Sequence, residues 1–153
     1  MTNRIKVLGI NIDPLTMRET VDAVERYVLG KRALHLMGVN ADKINQCHTD
    51  EKIKKIVNDS GIINADGASV VLASKFLGTP VPERVAGIDL MQSLLELSNN
   101  KGYSVYFFGA KEEVLQDMLK AFKNDYPNLI VVGYRNGYFS ADDEQDIQED
   151  IRE

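Results

Sequence analysis

Two segments bring together side chains that could do chemistry: Asn64-Ala65-Asp66-Gly67, and Pro82-Glu83-Arg84-Val85-Ala86-Gly87-Ile88-Asp89-Leu90. Asp66 stands at the exit of an apolar stretch, just ahead of a helical pattern. Two roles suit it. As a helix N-cap, its carboxylate accepts amide hydrogen bonds at the start of that helix. As a general base or anchor, it handles the proton of a substrate hydroxyl. The two roles are physically opposed. Amide hydrogen bonds and a helix dipole favour the ionised carboxylate and weaken it as a base. A catalytic Asp66 must therefore face a cleft. Arg84 also has two roles open to it. One is a surface ion pair with Glu83 or Asp89, which contributes little. The other is a clamp on a diphosphate, whose oxygens match the paired donors of a guanidinium.

Three further positions sit where a strand ends. Gly109-Ala110-Lys111 closes the clearest strand pattern and opens a helix. A bare glycine there lets a phosphate approach a helix N-terminus, although the same residue also suits a plain turn. Asn40 ends an earlier apolar run and either caps the next helix or touches ligand. Tyr138, in Gly137-Tyr138-Phe139, either stacks on a base or packs against a sheet edge. His35, His48 and Cys47 do not form a metal set, and no C-x-x-C, H-x-x-x-H or D-x-D occurs. His35 is expected to be a satisfied core histidine. Neither G-x-G-x-x-G nor G-x-x-x-x-G-K-[ST] is present, which disfavours an NAD-dependent oxidoreductase. The absence of G-x-S-x-G leaves a hydrolase elbow without support.

The elements that must position these residues alternate. Ile5 to Ile12 reads as a strand broken by Asp13-Pro14. Thr16 with Glu19 forms a capping-box pattern, opening a helix with Val21, Val24 and Val28 at helical spacing and ending at Gly30. Ala33 to Val39 is near-continuously apolar, as in a strand buried on both faces. A polar helix follows from Asn40, with Ile44, Ile53, Ile56 and Val57 as its stripe. Gly61 to Ile63 is a short strand. Gly67 to Leu77 is apolar nearly all round and predicts a buried helix. A helix over Ile88 to Ser98, a strand over Tyr103 to Phe108, a helix over Lys111 to Asp125 and a strand over Leu129 to Tyr134 come next. Ser140 with Asp143 resembles a second capping box, ahead of Ile147 and Ile151. This alternation predicts an α/β fold: a mostly parallel sheet flanked by helices, a Rossmann-like three-layer sandwich.

A length of 153 residues fits one domain with a substantial core. No stretch approaches the roughly 20 apolar residues of a membrane span, and the N-terminus lacks the h-region of a signal peptide. The single cysteine rules out an intrachain disulfide and fits a reducing compartment. Of the net charge of −5, residues 141–153 carry −6, leaving a body of +1. The acidic run suits a solvated helix face, and a near-neutral body argues against nucleic acid as a partner. The chain stops inside the last helical pattern, so the expectation is a fragment whose exposed apolar surface favours association into a homo-oligomer.

Taken in series, Val39-Asn40-Ala41-Asp42, Asn64-Ala65-Asp66-Gly67, the Pro82 to Leu90 run, Phe108-Gly109-Ala110 and Gly133 to Phe139 resemble the WecG/TagA/CpsF family of bacterial glycosyltransferases. The resemblance covers the chain from about residue 5 onward. It implies an inverting, metal-independent transfer of N-acetylmannosamine, or a related sugar, from a UDP-sugar. The implied acceptor is a polyprenyl-diphosphate-linked sugar at the inner membrane face, in teichoic acid, exopolysaccharide or other cell-wall synthesis. No cofactor is implied, and a cytoplasmic, peripheral membrane location is. Carried across, Asp66 is the catalytic base. Asn40, Gly67, Arg84, Asp89, Gly109, Ala110 and Tyr138 form the substrate-binding set. Arg84 stabilises diphosphate charge, and Gly109, Ala110 and Tyr138 lie in the region that holds UDP. Gly38 departs from the threonine that many members carry two residues before Asn40. The family's G-x-P-x-Q-E and G-V-G-G segments and its basic, membrane-touching C-terminal appendage are absent here. The expectation is therefore an N-terminal portion, inactive alone. The rival expectation is a non-catalytic nucleotide-binding α/β module, in which Asp66 is only a cap.

Overall fold

A computed structural model describes residues 3–152. The chain divides into two compact units, Met1–Met91 and Gln92–Glu153.

The first unit opens with β1 (Ile5–Val7) and β2 (Ile10–Ile12), an antiparallel hairpin pairing Val7 with Ile10. The expected single strand over Ile5 to Ile12 is thus folded on itself. Leu8 and Gly9 both take positive φ, 49° and 83°, the backbone of a two-residue hairpin turn. Asp13 then joins the hairpin to the next strand layer: its amide donates to the Ile63 carbonyl, and its carboxylate accepts the Ile63 amide, both at 2.8 Å. Arg4 holds the same carboxylate at 3.0 Å and donates to the Ser60 and Gly61 carbonyls.

Helix α1 (Met17–Leu29) begins at the expected capping box. The Glu19 amide donates to Thr16 Oγ1, and Glu19 Oε2 accepts from the Thr16 amide. Its buried residues are Thr20 and Ala23, not the expected valine stripe, and Val28 is exposed. The physical reason is a polar bond: Asn64 Nδ2 donates to Thr20 Oγ1 at 3.0 Å, and that bond turns the Thr20 face onto the strand. Strands β3 (Leu36–Val39) and β4 (Ile62–Ala65) run parallel, with Gly38 opposite Asn64 and Val39 opposite Ala65. All of β4 is buried, but in β3 only Val39 is, which corrects the expectation of a strand covered on both faces. His35 lies ahead of β3 and is exposed, with Nδ1 3.1 Å from Ser60 Oγ. It is not a core histidine.

The single helix expected after Asn40 is two. Helices α2 (Ala41–Thr49) and α3 (Glu51–Asn58) break at Asp50, whose extended backbone lets its carboxylate cap α3 through the Lys52 and Ile53 amides. The break rotates Ile56 outward, while Ile44 and Val57 stay buried. Helix α4 (Ala68–Phe76) is likewise not buried all round. Val70 and Ser74 face the core, whereas Leu72 and Leu77 are exposed and Phe76 is 84% exposed. The core of this unit joins Val7, Ile10, Ile12, Val39, Ile63 and Val70, among others.

Helix α5 (Gly87–Lys101) crosses the division between the units. Gly102, at φ 72°, ends it by donating to the Ser98 carbonyl, a glycine C-cap. In the second unit, β5 (Ser104–Phe108) and β6 (Ile130–Arg135) are parallel and joined by α6 (Glu112–Asp125). Their register slips by one: Val105 faces Val131, but Tyr106 faces Gly133. Val132 is the extra residue of a bulge. A methyl on Gly133 would stand 2.7 Å from the Tyr106 ring, so the ring occupies the room glycine leaves. A 3-10 turn (Ala141–Asp143), opened by the expected Ser140–Asp143 capping box, leads into α7 (Glu144–Arg152). Arg135 reaches Asp150 at 3.1 Å and Asp143 at 3.6 Å. Two parallel strand pairs, each closed by helical crossovers, make the chain α/β and Rossmann-like, as its alternating pattern predicts.

Candidate active site

In the first unit, the parallel pair β3–β4 delivers Asn40 and Asp66 to one edge. The Asp66 and Gly67 amides both donate to the Val39 carbonyl, at 2.9 and 3.2 Å. These bonds continue the ladder past the end of β4 and hold the two strand exits side by side. The contact is close enough to need a bare residue, because a methyl on Gly67 would stand 3.2 Å from Asn40 Cα.

Asp66 is not the helix cap. Gly67 occupies the N-cap of α4, and no side chain bonds that cap. The Asp66 carboxylate is therefore free of the amide bonds that would spend it. Its Oδ2 lies where two glycines leave space, 3.1 Å from an ideal methyl on Gly38 and 3.7 Å from one on Gly87. The side chain is 31% exposed. A carboxylate at a strand exit, half-open and bounded by glycine backbone, can accept a hydroxyl proton from a bound molecule.

Arg84 approaches from the loop between α4 and α5. Its Nε donates to the Asp66 carbonyl at 2.5 Å, and Nη2 lies 3.9 Å from Asp66 Oδ1. With Arg84 53% exposed, the pair contributes little to stability. The guanidinium is instead pinned through Nε. The loop is held at both ends: Val81 donates to Ser74 Oγ at 3.1 Å, and Val85 to the Ala65 carbonyl at 2.9 Å. Glu83 is not the ion-pair partner of Arg84, since its carboxylate accepts the Met17 amide at the head of α1. Asn40 takes the capping role: Oδ1 accepts the Lys43 amide at 2.9 Å, and the Nδ2 donors lie outside that cap. Asp89 stands exposed in the first turn of α5.

In the second unit, Gly109 and Ala110 form the turn between β5 and α6, with φ of 136° and 58°. Gly109 donates to the Arg135 carbonyl, and Gly137 donates to the Ala110 carbonyl at 2.9 Å. A methyl on Gly137 would stand 3.1 Å from Gly109 Cα. The α6 N-terminus carries no side-chain cap, which leaves its first amides to solvent or ligand. Tyr138 is 72% exposed, its amide donating to Asn136 Oδ1, while Phe139 packs on Phe108 at 5.4 Å. Among the described residues, no group of three or more His, Cys, Asp or Glu could hold a metal ion.

The profile described as "Glycosyl transferase WecG/TagA/CpsF family" matches residues 5–153. The chain belongs to this family. Curated relatives include proteins of Staphylococcus aureus strains NCTC 8325 / PS 47 and COL, each named N-acetylglucosaminyldiphosphoundecaprenol N-acetyl-beta-D-mannosaminyltransferase. Each is 29% identical over 145 residues, which cover 94% of this chain and 57% of the relative. The relative from strain MRSA252 matches to the same extent. The chain thus spans little more than half the length of these WecG/TagA/CpsF relatives. Within it, the strand exits of the first unit bring Asn40 beside Asp66 and Gly67, the loop after α4 brings Arg84 to Asp66, and the second unit brings Gly109 and Ala110 against Gly137. Sequence reasoning missed Gly87 beside the Asp66 carboxylate and Glu83 at the α1 terminus. The glycine was visible in the Pro82 to Leu90 run. Nothing in the sequence marks the Met17 amide as the partner of Glu83.

Proposed function

We propose that this chain carries the base and part of the donor site of an inverting glycosyltransferase. The donor is a UDP-sugar bearing N-acetylmannosamine or a relative. The acceptor is a polyprenyl-diphosphate-linked N-acetylglucosamine, the lipid-linked sugar in the relatives' name. The observation that carries this reading is Asp66: a strand-exit carboxylate excluded from the helix cap and adjoined by a pinned arginine.

In the proposed step, an acceptor hydroxyl gives its proton to Asp66 as its oxygen bonds to the anomeric carbon. The bond from that carbon to the diphosphate oxygen breaks on the opposite face, and UDP departs with the electron pair. Arg84 Nη donors stabilise charge growing on the diphosphate. Gly109, Ala110 and Tyr138 serve the nucleotide, with Asn40, Gly67 and Asp89 completing the substrate-binding set. No metal takes part, the arginine supplying the positive charge. A polyprenyl acceptor would keep the enzyme peripheral to the inner membrane face, in cell-envelope polysaccharide or teichoic acid synthesis. No helix among the described residues is long and apolar enough to cross a membrane.

The test is Asp66→Asn in the full-length protein, assayed with UDP-N-acetylmannosamine and a polyprenyl-diphosphate N-acetylglucosamine. Transfer should fall about 10²–10⁴-fold, the range of a lost general base, with UDP binding intact and activity insensitive to EDTA. UDP binding without transfer in the wild type would instead favour a nucleotide-binding module.

A further inference from the structure

Arg84 is exposed, yet its Nε is held on the Asp66 carbonyl. Between the anchors at Val81 and Val85, the loop leaves Pro82, Glu83 and Arg84 on the surface. Glu83 reaches the head of α1 and accepts the Met17 amide, while Arg84 reaches the Asp66 carbonyl.

The head of α1 is a firm post. Thr16 and Glu19 satisfy each other there, and the Thr20–Asn64 bond seats the helix on β4. Met17 is the first helical residue, so its amide has no partner within the helix. A carboxylate is favoured at that end by the helix dipole. We propose that Glu83 is a positioning residue: by holding the Met17 amide it fixes the direction in which Arg84 leaves the loop. α1, which contributes no group to the site, thereby sets the placement of the arginine. This rests on the proposed function for its catalytic meaning, though the positioning itself does not.

The test uses the full-length protein with 15N-labelled arginine. In wild type, the Arg84 Nε–H should exchange slowly with solvent because the Asp66 carbonyl holds it. In Glu83→Ala that exchange should rise about tenfold or more, and Glu83→Gln, which keeps the acceptor, should restore it. Met17→Pro removes the amide from the other side, and proline is well accepted at the first helical position. It should reproduce the Glu83→Ala effect. Protection of the Ile63 amide, bonded to the Asp13 carboxylate, reports that the fold persists. An unchanged Arg84 Nε–H in both Glu83→Ala and Met17→Pro overturns the proposal. In the transfer assay, Glu83→Ala should lower kcat about ten- to hundredfold, the scale of a small misplacement. A wild type that transfers no sugar refutes the glycosyltransferase reading and leaves the exchange result to decide this one.

Discussion

Gly38 and Asp66 meet across the β3–β4 pair, so closely that a methyl on Gly38 would stand 3.1 Å from Asp66 Oδ2 and 3.3 Å from its Cβ. The residue at 38 therefore tunes the carboxylate directly. A threonine there would set its hydroxyl against Asp66, and a valine would set a methyl in the same place. Either substituent crowds the carboxylate, so Gly38→Val should lower transfer at least tenfold, read as kcat in the full-length enzyme, and Gly38→Thr should do no better, because a hydrogen bond to the ionised carboxylate weakens it as a base. Wild-type activity in both would show that the carboxylate moves freely away from position 38.

Asn64 belongs to the same four-residue segment as Asp66 but serves the fold. Its amide donates to Thr20 Oγ1, and both residues are almost fully buried. Asn64→Ala should cost about 1–3 kcal/mol, the range for a buried polar group losing its partner. Urea unfolding measures this. In the Asn64→Ala, Thr20→Val double variant the two losses should fall short of additive, because both remove one bond.

The α1 capping box carries its own pH signature. The Thr16 amide, and then the Thr16 hydroxyl, hold the Glu19 carboxyl below its ordinary value, with desolvation opposing them weakly. A folded value below the unfolded one adds stability above the ordinary glutamate value of about 4.3. That stability is lost as pH falls through the lowered value. Ser140 does the same to Asp143. Carboxyl 13C titration should place both midpoints below their ordinary values, and Glu19→Gln should remove the corresponding acid-side loss of α1.

Cys47 is 1% exposed, and burial pushes its thiol pKa up. A buried thiol poor in thiolate is a poor nucleophile. Ellman's reagent should leave the native chain unmodified at neutral pH and react fully in guanidinium chloride. Fast native labelling would mean that the α2 face opens readily.

Where a local signal sufficed, the structure could be read from the residues. Thr16 with Glu19 marks the start of α1, and Asn40 and Asp66 lie side by side because strand exits of a parallel pair share one edge. Other features depend on partners distant in sequence. Leu8 at positive φ is a conformation a β-branched-looking run conceals. Asp50 is a plausible cap, but the apolar spacing runs on past it as though the helix were continuous. The valines of α1 satisfy helical periodicity, yet a buried threonine–asparagine bond fixes a different face. The apolar composition of α4 suggests a core helix, while Leu72 and Phe76 are exposed. Glu83 shows the limit most plainly, since its partner is a main-chain group 66 residues away.

The bulge at Val132 acts as a spacer. Before it, β6 keeps step with β5; after it, every residue of β6 sits one place further along. Gly133 stands opposite Tyr106 past the bulge, and beyond β6 Gly137 meets Gly109 and Ala110. Deleting Val132 would regularise the ladder and leave Gly133 opposite Tyr106, so Gly137 would keep its place. Length at position 132 is thus slack that the strand absorbs as a bulge: the turn should survive both substitution and deletion there.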